Sequence, residues 1–219
     1  MKKKILSILG LTSVLTSVVV CSKTNAYAFD IMEDPDIIAN VYVYAYNDVE
    51  ASGSMIGVPG HAFIVIENIT SSPFTIGDYG VSAYETISIG TWPKFTKHGG
   101  IWYNLETNEM NEKKHDSTIY LEQTITYYDL PKINNAMNKN NKWTLLKNCS
   151  TFATAVWNSF SSRTLDASLI NTPTALMDSM RNYDIKSGCS IKKNSNTGYY
   201  NNDGKFISIS YSKASSSSF

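Results

Sequence analysis

The chain has 219 residues and balanced formal charge, with 19 basic and 19 acidic side chains. No basic patch or stripe is present that would suit a nucleic acid, so no nucleic-acid partner is expected. The length suits one domain with a real core, and the 14 tyrosines point to a strand-rich chain with polar loops.

The first residues read as an export signal of bacterial type. Lys2, Lys3 and Lys4 form a positive n-region, Ile5 to Val20 is an apolar run, and Ala26-Tyr27-Ala28 supplies a small-residue cleavage pattern. The run is short and rich in Ser and Thr, so it does not read as a membrane anchor. Cys21 raises the question of lipidation, but the bulky Val20 before it disfavours that reading. Residues 1–28 are therefore assigned as a signal peptide, residues 29–212 as a single domain, and residues 213–219 as a disordered Ser-rich tail. Removing the signal takes away four lysines and no acids, leaving 15 basic residues against 19 acidic. The product is expected outside the cell or associated with the cell wall, as a monomer without a transmembrane anchor.

Asn40 to Tyr46, "NVYVYAY", alternates with the period of a strand. Met55 to Gly60 reads as a loop ending in the turn pair Pro59-Gly60. His61 to Asn68, "HAFIVIEN", is apolar on both faces and predicts a central strand covered on both sides. Further strands are expected at 84–89, 101–105 and 118–124. The period then changes. Leu130, Ile133 and Met137 predict a helix with Asp129 as N-cap and Pro131 in its first turn. A second helix starts at Asn148 or Cys149 and runs to about Phe160. A third has Thr172 as cap and Pro173 at its first position. Asn201 to Gly204, "NNDG", is a turn between short strands at 198–200 and 205–210. Strands first and helices later, without alternation, predict an α+β fold with a mostly antiparallel sheet packed against helices.

Candidate chemistry centres on "KNCSTFATAVWN". Asn148 as N-cap makes Cys149 the first helical residue, where unpaired N–H groups and the helix dipole favour a thiolate. The same N–H groups can hold the oxyanion formed when a carbonyl is attacked. Cys149 also lies on an apolar stripe with Phe152, Ala153, Val156 and Phe160, which suits an inert buried cysteine equally well. A Cys149–Cys189 disulfide is a third reading. Of the three histidines, His98 and His115 sit in loop-like, polar surroundings, whereas His61 opens the central strand. No pair of His or Cys has metal-ligand spacing, and no phosphate loop or dinucleotide fingerprint is present, so neither a metal nor a cofactor is expected. The segment carrying Trp92, Phe95, Trp102 and Tyr103 has aromatics between glycines, which either line a groove or pack beneath a loop.

"GHAFIVIEN" followed some ninety residues later by "NCSTFA" resembles the circularly permuted papain-like hydrolases. These include permuted NlpC-type peptidases, YiiX-like amidases and lecithin:retinol acyltransferase-like proteins. In that group the histidine strand precedes the cysteine helix, as here, and the likeness covers about His61 to Phe160. The resemblance implies a permuted papain-like fold with Cys149 as nucleophile, His61 as base and the Cys149 N–H in the oxyanion hole. It implies a peptide or acyl substrate, such as a cell-wall peptide amide; an acyl-lipid ester is the alternative, and a non-catalytic binding module the other. The polar group that orients the histidine is not clear from the sequence. Glu85, Ser88 and Thr91 are reachable, whereas Glu67, six strand residues from His61, lies on the order of 20 Å away.

Overall fold

The computed structural model describes residues 36–47, 60–93, 98–112, 115, 117–169 and 171–216. Residues 1–28, expected to be a signal peptide, and the Met55–Pro59 part of the expected loop lie outside the described residues, as does Phe95.

The protein is α+β. Among the described residues, ten strands, β1 (Ile37–Tyr46), β2 (His61–Asn68), β3 (Phe74–Ile76), β4 (Tyr79–Val81), β5 (Thr86–Thr91), β6 (Ile101–Tyr103), β7 (Ile119–Thr126), β8 (Lys186–Ser187), β9 (Gly198–Tyr200) and β10 (Phe206–Ser208), carry five α-helices between and after them. These are α1 (Leu105–Glu112), α2 (Leu130–Lys139), α3 (Cys149–Asn158), α4 (Pro173–Met180) and α5 (Tyr211–Ser216). Eight strands form one sheet in the order β10-β9-β6-β5-β2-β1-β7-β8, and β3 and β4 make a separate hairpin. Every pairing is antiparallel.

β2 is central, as its two apolar faces require. It lies between β1, with Tyr46 opposite His61, and β5, with Ile64 opposite Ile89. Alternation divides its side chains between two layers. Ala62, Ile64 and Ile66 enter the main core with Phe152, Ala153 and Val156 of α3, Ile133 and Met137 of α2, and Leu176 and Met180 of α4. Phe63 and Val65 point the other way, against Tyr44, Tyr46 and Ile191. On that second face α1 and α5 close over β6 through Leu105, Trp102 and Ala214.

Several elements differ from the sequence reading. The strand expected over 101–105 ends at Tyr103, and Leu105 opens α1, because Asn104 turns the backbone to a φ of 62°. The β3–β4 hairpin and β8 add short pairings that no periodic pattern announced. The strand expected from Tyr84 begins at Thr86, since Tyr84 itself has a φ of 58°. The first part of the Ser-rich tail is helical rather than irregular, with Ala214 buried against Trp102 and Leu105.

α1 shows why it escaped notice. Its packing is polar. Asn108 Nδ2 donates to the carbonyls of Asn104 and Asn194 and to Thr197 Oγ1, all at 2.8–2.9 Å, and Asn111 Nδ2 donates to Ile191 O at 2.9 Å. Carboxamides thus fasten the extended 191–197 segment to the helix where leucines would ordinarily do so.

α3 begins as expected. Asn148 is extended, and its side-chain oxygen accepts from the N–H groups of Ser150 at 3.0 Å and Thr151 at 3.3 Å. Its Nδ2 donates to Asn171 O at 2.6 Å, tying the helix start to the segment before α4. Asn148→Ala removes both the cap and the tie. It is expected to lower unfolding free energy by about 1–2 kcal/mol, read as a fall in thermal midpoint, with native circular dichroism retained at room temperature.

Candidate functional site

β2 and α3 bring His61 and Cys149 together at one end of the sheet. His61 shares the face of Phe63, stacked 5.7 Å away. α3 packs on the opposite face, so its first residue meets the histidine only at the strand's end. There the Cys149 thiol lies against the His61 ring and the backbone N–H of Ala62, close enough for both to act on its ionisation.

The other side of the imidazole is held by a residue the sequence did not single out. His61 Nε2 lies 3.1 Å from Glu106 Oε1. Glu106 comes from the first turn of α1 and is 1% exposed. Its Oε1 also accepts the Trp92 indole N–H at 2.7 Å, and its Oε2 accepts the Ser88 hydroxyl at 2.8 Å. Ser88 Oγ in turn accepts the N–H of Thr107, closing a loop of bonds between β5 and α1. With Nε2 on the carboxylate, Nδ1 is the ring nitrogen left for the thiol. The Trp92 ring covers the histidine, with centroids 3.9 Å apart.

Gly90 makes this approach sterically feasible. It alternates with Ser88 on the face toward α1, and a Cβ there would lie 1.9 Å from Glu106 Oε1 and 3.3 Å from His61 Nε2. A glycine inside a buried strand marks a close approach by another group, and here that group is the carboxylate. It is the signal in "SIGTW" by which Glu106 could have been sought.

The other residues considered for the third position have different places. Ser88 holds Glu106 rather than His61. Glu85 accepts from Tyr79 OH, Ser82 N and Asn194 Nδ2, bracing a turn. Thr91 shares the face of Ile87 and Ile89, away from Glu106, and its buried hydroxyl has no hydrogen-bond partner among the described residues. Glu67, as its distance required, is taken up at the far end of β2 by Asn40 and Tyr42. His98 stacks on Tyr199 at 3.8 Å and His115 on Tyr46 at 4.0 Å.

The electrostatics follow from these contacts. Burial alone would discharge His61, but the Cys149 thiolate and then the Glu106 carboxylate raise it from an ordinary 6.5 to about 10. Burial would likewise raise the Cys149 thiol, yet the His61 imidazolium, by charge and hydrogen bond, and the Ala62 N–H bring it below its ordinary 9.0. Cys189 has no such neighbour, and burial pushes it up to about 11. Both cysteines are free thiols, so the two are not bridged.

Asn148 engages the N–H groups of Ser150 and Thr151 as its cap, which leaves the Cys149 N–H at the helix start outside the cap. A thiolate, an imidazolium oriented by a buried carboxylate, and a helix N-terminus are together able to carry nucleophilic attack on a carbonyl. Among the described residues no cluster of His, Cys, Asp or Glu could hold a metal ion, and no helix is long and apolar enough to cross a membrane. Compared with protein-family models, curated proteins and solved structures, the chain matches none.

Proposed function

We propose that the chain is a secreted thiol hydrolase of the permuted papain-like kind that cleaves an amide bond, with a cell-wall peptide as substrate. The observation that carries this reading is the Cys149 thiol on one side of His61 and the buried Glu106 carboxylate 3.1 Å from the other. The order of histidine strand before cysteine helix agrees with it.

In this mechanism His61 holds the proton given up by Cys149. The thiolate attacks the carbonyl carbon, and the oxyanion sits at the Cys149 N–H. His61 passes its proton to the leaving amine as the C–N bond breaks, forming an acyl thioester. Water then gives a proton to His61 and attacks the thioester, releasing the acid and restoring the thiol. Glu106 orients the imidazole and stabilises its charged form, as a carboxylate does in other triads. No cofactor is needed at any step.

A second substrate class has a specific observation in its favour. Leu145 and Leu146, on the loop leading to Cys149, are 60% and 68% exposed, and Leu169 is 94% exposed. Asn171 Nδ2 donates to Leu146 O, joining the two loops. An apolar rim beside the nucleophile suits an acyl chain, and the same thiol would cleave its ester.

Brief incubation with cell-wall peptide fragments or with phospholipid vesicles, followed by mass spectrometry of the protein, distinguishes these. A peptidyl adduct on the Cys149 peptide supports the amidase reading, and a fatty-acyl adduct supports the ester reading. Free product that forms equally with Cys149→Ala, or no product from either substrate, would remove both.

A further inference from the structure

A cavity of about 510 Å³ opens on the helix side of the sheet, beyond the β5–β6 end. Its volume lies within the range of small-ligand sites. Tyr103 and Met137 line it together with Trp143 and Tyr200. Gly77 lets the β3–β4 turn close over this lining: its φ is 58°, and a Cβ there would meet the Tyr103 hydroxyl at 2.5 Å and Met137 Cε at 2.9 Å. Trp143 is held by its backbone, whose N–H donates to Gly99 O at 2.7 Å.

The polar lining is mostly amide. Asn138, Asn141 and Asn202 line the cavity, are exposed, and have side chains with no hydrogen-bond partner among the described residues. Asn201 differs, since its Oδ1 accepts from Asp203 N and Lys205 N and so serves the β9–β10 turn. One acid, Asp78, and one base, Lys142, balance each other in the lining. His98, also in the lining, is held below its ordinary value by burial and faces a ligand as a neutral ring. In a second cavity, of about 300 Å³, the carboxylates are already engaged: Glu67 is taken by Tyr42 and Asn40 and Glu122 by Lys186.

We propose that the larger groove binds a neutral sugar chain. A pyranose ring presents an apolar C–H face and a rim of hydroxyls that both donate and accept. The groove offers aromatic side chains for the first and free carboxamides, which also donate and accept, for the second. Its balanced charge gives no grip on an anionic or cationic ligand. Trp143 stands six residues before Cys149, so chain geometry keeps the groove within about 20 Å of the nucleophile. Binding at the groove does not depend on what Cys149 does.

The test is calorimetric titration of the full chain, and of its Cys149→Ala form, with chitotetraose and cellotetraose, alongside a neutral tetrapeptide. At least one tetrasaccharide is expected to bind both forms alike. Trp143→Ala, which keeps the backbone bond to Gly99, is expected to weaken that binding about ten-fold, and so are the exposed-site changes Asn141→Ala and Asn202→Ala. Absence of binding by both sugars overturns the proposal, as does binding that all three variants leave unchanged. A groove that takes the tetrapeptide and neither sugar overturns it in favour of a peptide site.

Discussion

Iodoacetamide at pH 7 is expected to alkylate Cys149 and spare Cys189, and His61→Asn is expected to remove most of the Cys149 reactivity. Two contributions oppose each other at Cys149. Burial acts on both thiols in the same direction, and only Cys149 has an imidazolium beside it, which brings it below 9.0 while Cys189 stands near 11. Removing His61 leaves Cys149 with the burial effect and without its largest compensating neighbour, so its thiol rises toward or above the ordinary 9.0. At pH 7 a thiol of that kind is about 1% ionised or less, and the alkylation rate should fall on the order of 100-fold where the wild-type pair is fully formed. The pH profile gives the sign independently. In the wild type the rate rises as pH passes the lowered thiol value and is already high below pH 9, whereas in His61→Asn the rise moves to higher pH. Turnover should carry a further alkaline limb near pH 10, where the imidazolium that protonates the leaving amine is lost. Equal labelling of the two cysteines in the wild type, followed by peptide mapping, would contradict this account.

How much of the fold and site was legible in the sequence depended on whether side chains met by hydrophobic period or by hydrogen bond. β1, β2, α2, α3 and α4 all announce themselves by apolar spacing and by caps, and each lies within a few residues of where those signals put it. The places of His61 and Cys149 were accordingly readable, since one opens a buried strand and the other a capped helix, while their pairing was implied by the family resemblance rather than by either local signal. Glu106 was not. It sits on a helix whose inner face is Glu, Thr and Asn, buried only because partners from β5 and the 191–197 segment satisfy its polar groups. Those partners are up to 89 residues away in sequence, and no local pattern encodes them. Glu85, by contrast, had the right residue type next to the right strand, but the left-handed Tyr84 before it places its carboxylate in a turn.

Two substitutions separate the charge of Glu106 from its position, and together they should have the largest effect on the site. Glu106→Gln keeps the shape. Its amide oxygen can still accept from Trp92 and His61, and its NH₂ can donate to Ser88 Oγ once the hydroxyl turns. The fold should therefore stay within about 1 kcal/mol of the wild type. The negative charge is gone, however, so His61 falls below about 10 and the thiolate–imidazolium pair weakens. Turnover and Cys149 alkylation at neutral pH should both drop, by roughly 10- to 100-fold. Gly90→Ala does the reverse: the carboxylate remains, but the new Cβ, 1.9 Å from Oε1, forces it away from both His61 and Trp92. Overpacking costs about 1–3 kcal/mol, and the displaced buried partners add a similar amount, so this variant should lose both stability and activity. The pair is informative because a purely structural role for Glu106 predicts the opposite ranking for Glu106→Gln. A Gln variant with wild-type thiol reactivity and an unchanged pH profile would show that the carboxylate packs the sheet end without tuning the histidine.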